Sequence, residues 1–312
     1  MRMKFFLVSI FTTAALSGCV TEDIIDQLTQ PSTPQLLNTQ LPVTRSIPKV
    51  TIPQPTPERK IVAGDSFFGG GDVLAFTSST ALRKLEDQAI SYSIDATGKV
   101  VTLSVDGNAY NLAFDKSTGS YKFADARNSA VSLRIFAATD SLETIYASHT
   151  RRNATGTSVV DAAAFFQTIG FLSGSQVANR QTGTATYKGQ IDIVSSDAAG
   201  PSYGKGNMTL NVNFDTDRLN GGADIATSSP TSVRKIPISR IDIPDTNFAN
   251  GSATGGITIA TSDPTKKLAK GEFGAALFGT QAKGLGGNVT GEIEDAAGTT
   301  VHVFQGAFAT SR

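Results

Sequence analysis

From residue 184 onward the chain alternates apolar and polar residues with a period of two, interrupted by turn residues. The cleanest stretch is Asn207–Phe214, where Met208, Leu210, Val212 and Phe214 alternate with Asn207, Thr209, Asn211 and Asn213. Such alternation marks a strand with one buried and one wet face. The same reading predicts strands over Thr184–Val194, with Tyr187, Ile191 and Ile193 on one face, and over Leu219–Ile225 after the turn at Asp215-Thr216-Asp217. Asn220-Gly221-Gly222 reads as a bulge. A weaker strand, interrupted by Pro237, is expected over Val233–Ile238, followed by Thr254–Thr261, Gly271–Gly279, Gly286–Ile293 and Thr300–Phe308. Eight antiparallel strands at this spacing suit a closed barrel, which leaves no exposed sheet edge; a sandwich fits the same pattern.

Upstream, shorter runs predict a meander of about six strands. Ala89–Asp95, Lys99–Val105 and Ala109–Phe114 are separated by Thr97-Gly98 and by the hairpin signal Asp106-Gly107. Strands around Tyr121 and Phe123, Val131–Ala137 and Glu143–Ser148 follow. Asp161–Phe171 suits a buried strand, or a short helix turning into one. The fold class is therefore all-β, a small antiparallel sheet over residues 61–180 followed by an eight-stranded barrel over 181–312.

The amino-terminal sixty residues follow neither pattern. Met1–Lys4 is short and positive, and Phe5–Leu16 is a mostly apolar run of twelve residues. That is too short to cross a bilayer as a mature helix, and it fits the core of an export signal over residues 1–18. Between Cys19 and Lys60 lie seven of the twelve prolines and no glycine. Proline fixes φ and removes a donor, so residues 19–60 read as an extended tether, with a short helix over Glu22–Leu28 as the one local exception.

Composition narrows the partners. The 312 residues carry 27 basic and 27 acidic side chains, which argues against a nucleic-acid partner. The single cysteine excludes an intramolecular disulfide and a thiolate metal cluster.

Leu16-Ser17-Gly18-Cys19 resembles the bacterial lipoprotein lipobox. The resemblance implies diacylglycerol on the Cys19 thiol, cleavage before it and acylation of the new amine, and two or more chains anchor a protein stably. Val20 stands where an inner-membrane retention signal would have Asp, so the outer membrane is expected.

Three further stretches carry a second resemblance. Gly183-Thr184-Ala185-Thr186-Tyr187-Lys188-Gly189, Leu210-Asn211-Val212-Asn213-Phe214-Asp215 and Phe278-Gly279-Thr280-Gln281-Ala282-Lys283-Gly284-Leu285-Gly286-Gly287 resemble, in order, barrel motifs of the transferrin-binding protein B family and of factor H-binding protein. The resemblance covers about residues 160–312. It implies an eight-stranded barrel preceded by a β "handle" domain. It also implies a non-enzymatic, surface-anchored binding lipoprotein for an iron source, another solute or a host protein, with a surface-lipoprotein translocon as a further partner. The chain is shorter than the two-lobed members, with room for one handle and one barrel.

The residues offer little chemistry. No Gly-x-Ser-x-Gly elbow, His-Glu-x-x-His or P-loop is present, and Asp215-x-Asp217 reads as a hairpin turn rather than a calcium loop. No catalytic or metal-ligating residue and no ligand-binding residue is assigned, and no cofactor is expected from the residues themselves. Some relatives bind haem, which leaves His302, on a face with Phe304 and Phe308, as either a half-buried strand residue or a haem ligand. His149 reads as a loop residue, exposed or touching a partner, and Tyr203 as a loop tyrosine or an aromatic anchor. The expected function is an outer-membrane binding lipoprotein. The alternative is a structural or assembly lipoprotein facing the periplasm without a dedicated ligand.

Overall fold

The computed structural model describes residues 35–37, 61–77, 84–97, 100–105, 108–115, 120–125, 129–139, 142–152, 155, 159–173, 175–197, 200–227 and 234–312. Cys19, the export signal and the helix expected over Glu22–Leu28 lie outside them, as does the tether apart from residues 35–37.

Alternating sequences in both halves form strands, and the fold is all-β. The first sheet comprises β1 (Gln35–Leu37), β2 (Ser66–Thr77), β3 (Lys84–Ile94), β4 (Val100–Val105), β5 (Asn108–Asp115), β6 (Ser120–Asp125), β7 (Ser129–Thr139), β8 (Leu142–Arg152) and β9 (Val159–Gly170). From β2 to β9 each strand pairs antiparallel with the next, and Leu74–Thr77 of β2 returns to pair with Asp161–Ala164 of β9. The circuit therefore closes, with eight strands where the sequence suggests an open meander of about six. β1 adds a short parallel partner to β2. The reason for the miss is local: β2 carries Gly69-Gly70-Gly71 in its middle, which hides the alternation.

The second sheet comprises β10 (Thr184–Asp197), β11 (Gly200–Asn213), β12 (Arg218–Thr227), β13 (Ile238–Asn247), β14 (Ser252–Gly256), β15 (Thr258–Thr261), β16 (Lys267–Phe278), β17 (Gly284–Glu294) and β18 (Thr300–Ser311). β18 closes back onto β10 in antiparallel register. β14 and β15 are one strand interrupted at Ile257: the first piece pairs with β16 and the second with β13. The Ile257 N–H donates to Gly271 O at 3.2 Å and its side chain enters the core. Taken together, these two pieces reduce the nine to the eight barrel strands that the sequence predicts. The interior is packed with Tyr187, Ile191, Ile193, Met208, Leu210, Val212, Phe304, Phe308 and their neighbours. The bulge expected at Asn220–Gly222 is present as a register shift between Leu219 and Gly221.

Two segments differ from expectation. The fourth barrel strand is Ile238–Asn247, not Val233–Ile238, because Ile241 and Ile243 supply the inward face that the earlier stretch lacks. Residues 200–206 extend β11 rather than forming a loop, since Gly204 and Gly206 let the strand lie close under Ile225 and Ile236. The stretch from Asp161 forms a strand throughout, β9.

Both sheets belong to one compact unit, Ser32–Arg312. β2 covers β9 only as far as Ala164, so the other edge of Phe165–Gly170 has no ladder partner in its own sheet. The barrel wall supplies one. The Phe166 N–H donates to Gln305 Oε1 at 2.7 Å, and Gln305 Nε2 donates back to Phe166 O. The Thr168 N–H donates to Asn288 Oδ1 at 3.3 Å, and its hydroxyl donates between Gly287 O at 2.8 Å and Phe308 O at 3.0 Å. Phe166 packs beside them with Val194, Val303 and Ala307, and Leu142 with Phe278 and Ala309. The connection to β10 continues the contact: Ser173 N–H donates to Leu277 O and Gly279 N–H to Phe171 O, both at 2.8 Å.

Gln305 is 1% exposed, so its loss would bury two unsatisfied main-chain groups. At roughly 1–3 kcal/mol each, Gln305→Ala is expected to lower stability by about 2–6 kcal/mol in urea unfolding, well beyond a surface substitution. A loss below about 0.5 kcal/mol would show that the β9 edge does not depend on this side chain.

Candidate functional site

The three barrel motifs come together at one end of the barrel. Gly183 sits at the start of β10 with φ 71°, a conformation that favours glycine, and its N–H donates to Asp215 Oδ1 at 2.9 Å. Phe214 N–H returns to Gly183 O at 2.8 Å, joining the first motif to the second. The Tyr187 hydroxyl donates to Ala282 O at 2.8 Å, joining the first to the third. Burial pushes the Tyr187 phenol up to about 12, with Arg312 opposing, so it is a donor at neutral pH. Gly287, in the third motif, lies so close to β16 that a Cβ there would stand 1.9 Å from Gly274 O. The short helix α1 (Ser175–Ala178) places Ala178 into the core at this end, against Gly251. Arg312 locks the surrounding turn by donating to Gln181 Oε1 at 2.6 Å and to Gln281 O at 2.9 Å. The motifs are thus the seal of this end.

The opposite end is polar. Inward positions of β10 run Ile191, Ile193, Ser195, Asp197, so the apolar interior gives way to a hydroxyl and then a carboxylate. His302, two residues before the inward Phe304, stands beside Asp197 with its Nδ1 4.0 Å from Asp197 Oδ2. Arg234 pairs with Asp197 from the connection between β12 and β13. Lys266, in the β15–β16 turn, approaches Asp263 at 3.8 Å and lies 3.1 Å from His302 Nε2. Burial pushes the His302 imidazole below the ordinary histidine range; Lys266 and Arg234 add to that, while Asp197 and Asp263 oppose it. Ser195 is fully buried, and among the described residues its Oγ has no hydrogen-bond partner.

This mouth alters the picture of the residues singled out by sequence. His302 is a buried strand residue, 8% exposed, and the nitrogen that a haem iron would take is held by Lys266. His149 lies within β8, opposite Val131 and Ala163, rather than in a loop. Tyr203 is a strand residue of β11, half-buried, with its hydroxyl 3.0 Å from that of Tyr146 and the two rings edge to face. It belongs to the junction between the sheets. Asp197, Arg234, Lys266 and Ser195 were not foreseen, since each looks like an ordinary turn or strand residue in isolation. Among the described residues no group of His, Cys, Asp and Glu side chains is arranged to hold a metal ion.

A separate half-buried carboxyl lies in β8. Glu143 faces the same side as Ile145 and Ala147, and loss of solvent there pushes it up to about 7. Asp192, in register with Lys205, is likewise pushed up to about 6 by burial.

Searches of known proteins return no matching protein family and no matching curated protein. Solved structures are similar only distantly. A mutant transferrin-binding protein B from Haemophilus parasuis is 14% identical with a TM-score of 0.46, over 78% of this chain and 45% of that one. Intact Ap-TbpB, with N and C lobes, is 14% identical with a TM-score of 0.44, over 77% and 46%. A protein of unknown function from Nostoc punctiforme is 11% identical with a TM-score of 0.22, over 78% and 95%. The chain thus spans less than half the length of the transferrin-binding protein B structures it matches.

The half-buried Glu143 sets a pH dependence. Its carboxyl is neutral more readily in the folded chain than in the unfolded one, so its favourable contribution is complete below about pH 4.5 and is lost as pH rises through about 7. Glu143→Gln is expected to raise stability at pH 8 by about 1–3 kcal/mol and to leave it unchanged near pH 4. Equal effects at both pH values in thermal or urea unfolding would contradict this assignment.

Proposed function

We propose that the protein is a lipid-anchored binding protein of the outer membrane that presents its two closed sheets at the cell surface and carries no catalytic centre of its own. The observation that carries this reading is the sole cysteine at Leu16-Ser17-Gly18-Cys19, behind an apolar run and ahead of a proline-rich stretch. Residues 1–18 are the export signal, 19–60 the tether, 61–180 the handle-like domain and 181–312 the barrel. The geometry favours binding over catalysis because the barrel interior is filled by side chains. A ligand, whether a protein or an iron-bearing solute, would be met by the connections between strands and by the outer walls. An outer-membrane translocon that accepts the barrel is the partner such a route requires.

Two measurements test this. Wild-type protein is expected to incorporate labelled palmitate and to fractionate with the outer membrane, and Cys19→Ser to do neither. Protease added to intact cells is expected to remove the head; complete protection would favour a periplasm-facing envelope component instead. Palmitate incorporation that persists in Cys19→Ser would overturn the anchoring assignment.

A further inference from the structure

We propose that the polar barrel mouth is an acid-sensitive latch, in which neutral His302 holds the β15–β16 turn closed through Lys266 and protonated His302 releases it. The argument begins with donors and acceptors. An ammonium group can only donate, so the 3.1 Å contact requires His302 Nε2 to accept. The imidazole is then neutral with its proton on Nδ1, the atom turned toward Asp197. Protonation places a hydrogen on Nε2 as well. The acceptor disappears, and a cation faces the Lys266 ammonium across a part-buried contact.

The surrounding charges do not rescue that state. From β10, Asp197 faces the ring but is already engaged by Arg234, which arrives from the β12–β13 connection as a second cation. From the β15–β16 turn, Lys266 faces it directly, and Asp263 stands behind at 3.8 Å from Lys266 Nζ. The carboxylates of β17 are occupied elsewhere: Glu292 accepts from the Thr300 hydroxyl and Glu294 pairs with Lys267. Three cations would thus share two anions.

The turn is built to move as a piece. Thr261 Oγ1 lies 2.9 Å from Lys266 O, Lys266 N–H donates to Asp263 O at 3.0 Å, and the Thr265 hydroxyl donates to Asp263 Oδ1 at 2.7 Å. These contacts lie within the turn and keep its shape when Lys266 leaves His302. Between the flanking ladders at Thr261 and Lys267, the turn itself meets the barrel through Lys266 on one side and through Ser262, whose N–H donates to Pro237 O at 2.8 Å, on the other. Release exposes the inward layer beneath, where the unpartnered Ser195 Oγ and Phe304 lie. The sign follows from the depressed imidazole. The closed mouth is fully stable above the ordinary histidine value of 6.5 and weakens as pH falls below it.

Hydrogen exchange over residues 258–270, corrected for the intrinsic pH dependence of exchange, tests this at about pH 7.5 and about pH 5. The wild-type protein is expected to lose at least about tenfold of its protection there on acidification, while the sealed end around residues 183–189 keeps its own. His302→Gln, whose amide oxygen still accepts from Lys266 and does not titrate, should show no such loss. Lys266→Met should be open at both pH values. An equal loss in wild type and His302→Gln, or none in wild type, overturns the latch. Nitrogen NMR of the wild-type imidazoles reads the same point without a variant: a proton on His302 Nε2 at neutral pH refutes it, and one on Nδ1 supports it.

Discussion

The structure depends on the satisfaction of one strand edge. A main-chain N–H or C=O buried without a partner costs as much as several favourable contacts return, and an uncovered edge invites pairing with other chains. The first sheet closes through only part of β9, leaving Phe166 and Thr168 with outward main-chain groups. Among the described residues no strand covers them. A glutamine carboxamide does, offering one acceptor and one donor at the spacing of a neighbouring strand, and Asn288 and Thr168 complete the set. The barrel wall acts as the missing edge, and that requirement fixes which face of the barrel the first sheet meets. Close approach there needs small residues on the wall. At Gly286, a Cβ would come within 2.9 Å of Leu142 and 2.8 Å of Thr168. The glycines of the third motif therefore serve both barrel closure and the junction.

Much of this was legible in the residues because period-two alternation is a direct image of a half-buried sheet. β11 shows it without a fault from Asn207 to Phe214, and β10, β17 and β18 follow. The pattern fails where a second constraint overrides it. In β13 the inward Ile241 and Ile243 are followed by Pro244, which reads as a breaker. Its place explains why it is tolerated: β13 pairs with β15 only over Ile238–Asp242, so the side of β13 at Pro244 asks for no ladder donor. In β2 the run Gly69-Gly70-Gly71 erases the alternation, and at Gly204–Gly206 glycines do so where neighbours crowd the strand. Tyr203 and His149 read as loop residues because proline, glycine or charged neighbours surround them, yet long-range pairing makes them part of strands.

The polar mouth was illegible for a different reason. Asp197, Arg234, Lys266 and His302 come from four separate stretches, the first and last more than one hundred residues apart. No local periodicity links them. Only His302 carried a signal, as a titratable residue on an otherwise apolar face. Barrel closure brings β18 beside β10, and it is this non-consecutive pairing that turns the histidine's neighbours from loop residues into a charged cluster.

The two barrel ends then differ in kind. At the motif end the closing contacts run through main-chain groups, the Tyr187 phenol, the Asp215 carboxylate and the Arg312 guanidinium. At the mouth the closing contacts run through an imidazole and charged side chains whose balance changes with one proton. The packed interior, which includes Tyr187, Ile191 and Ile193 of β10, holds the barrel together between its two ends. A polar layer that includes the buried Ser195 hydroxyl lies at the mouth, beyond that packing. The junction with the first sheet extends along the outer wall formed by β18, β10 and β17, where Gln305 and Asn288 meet β9. The architecture separates what must stay fixed from what can respond.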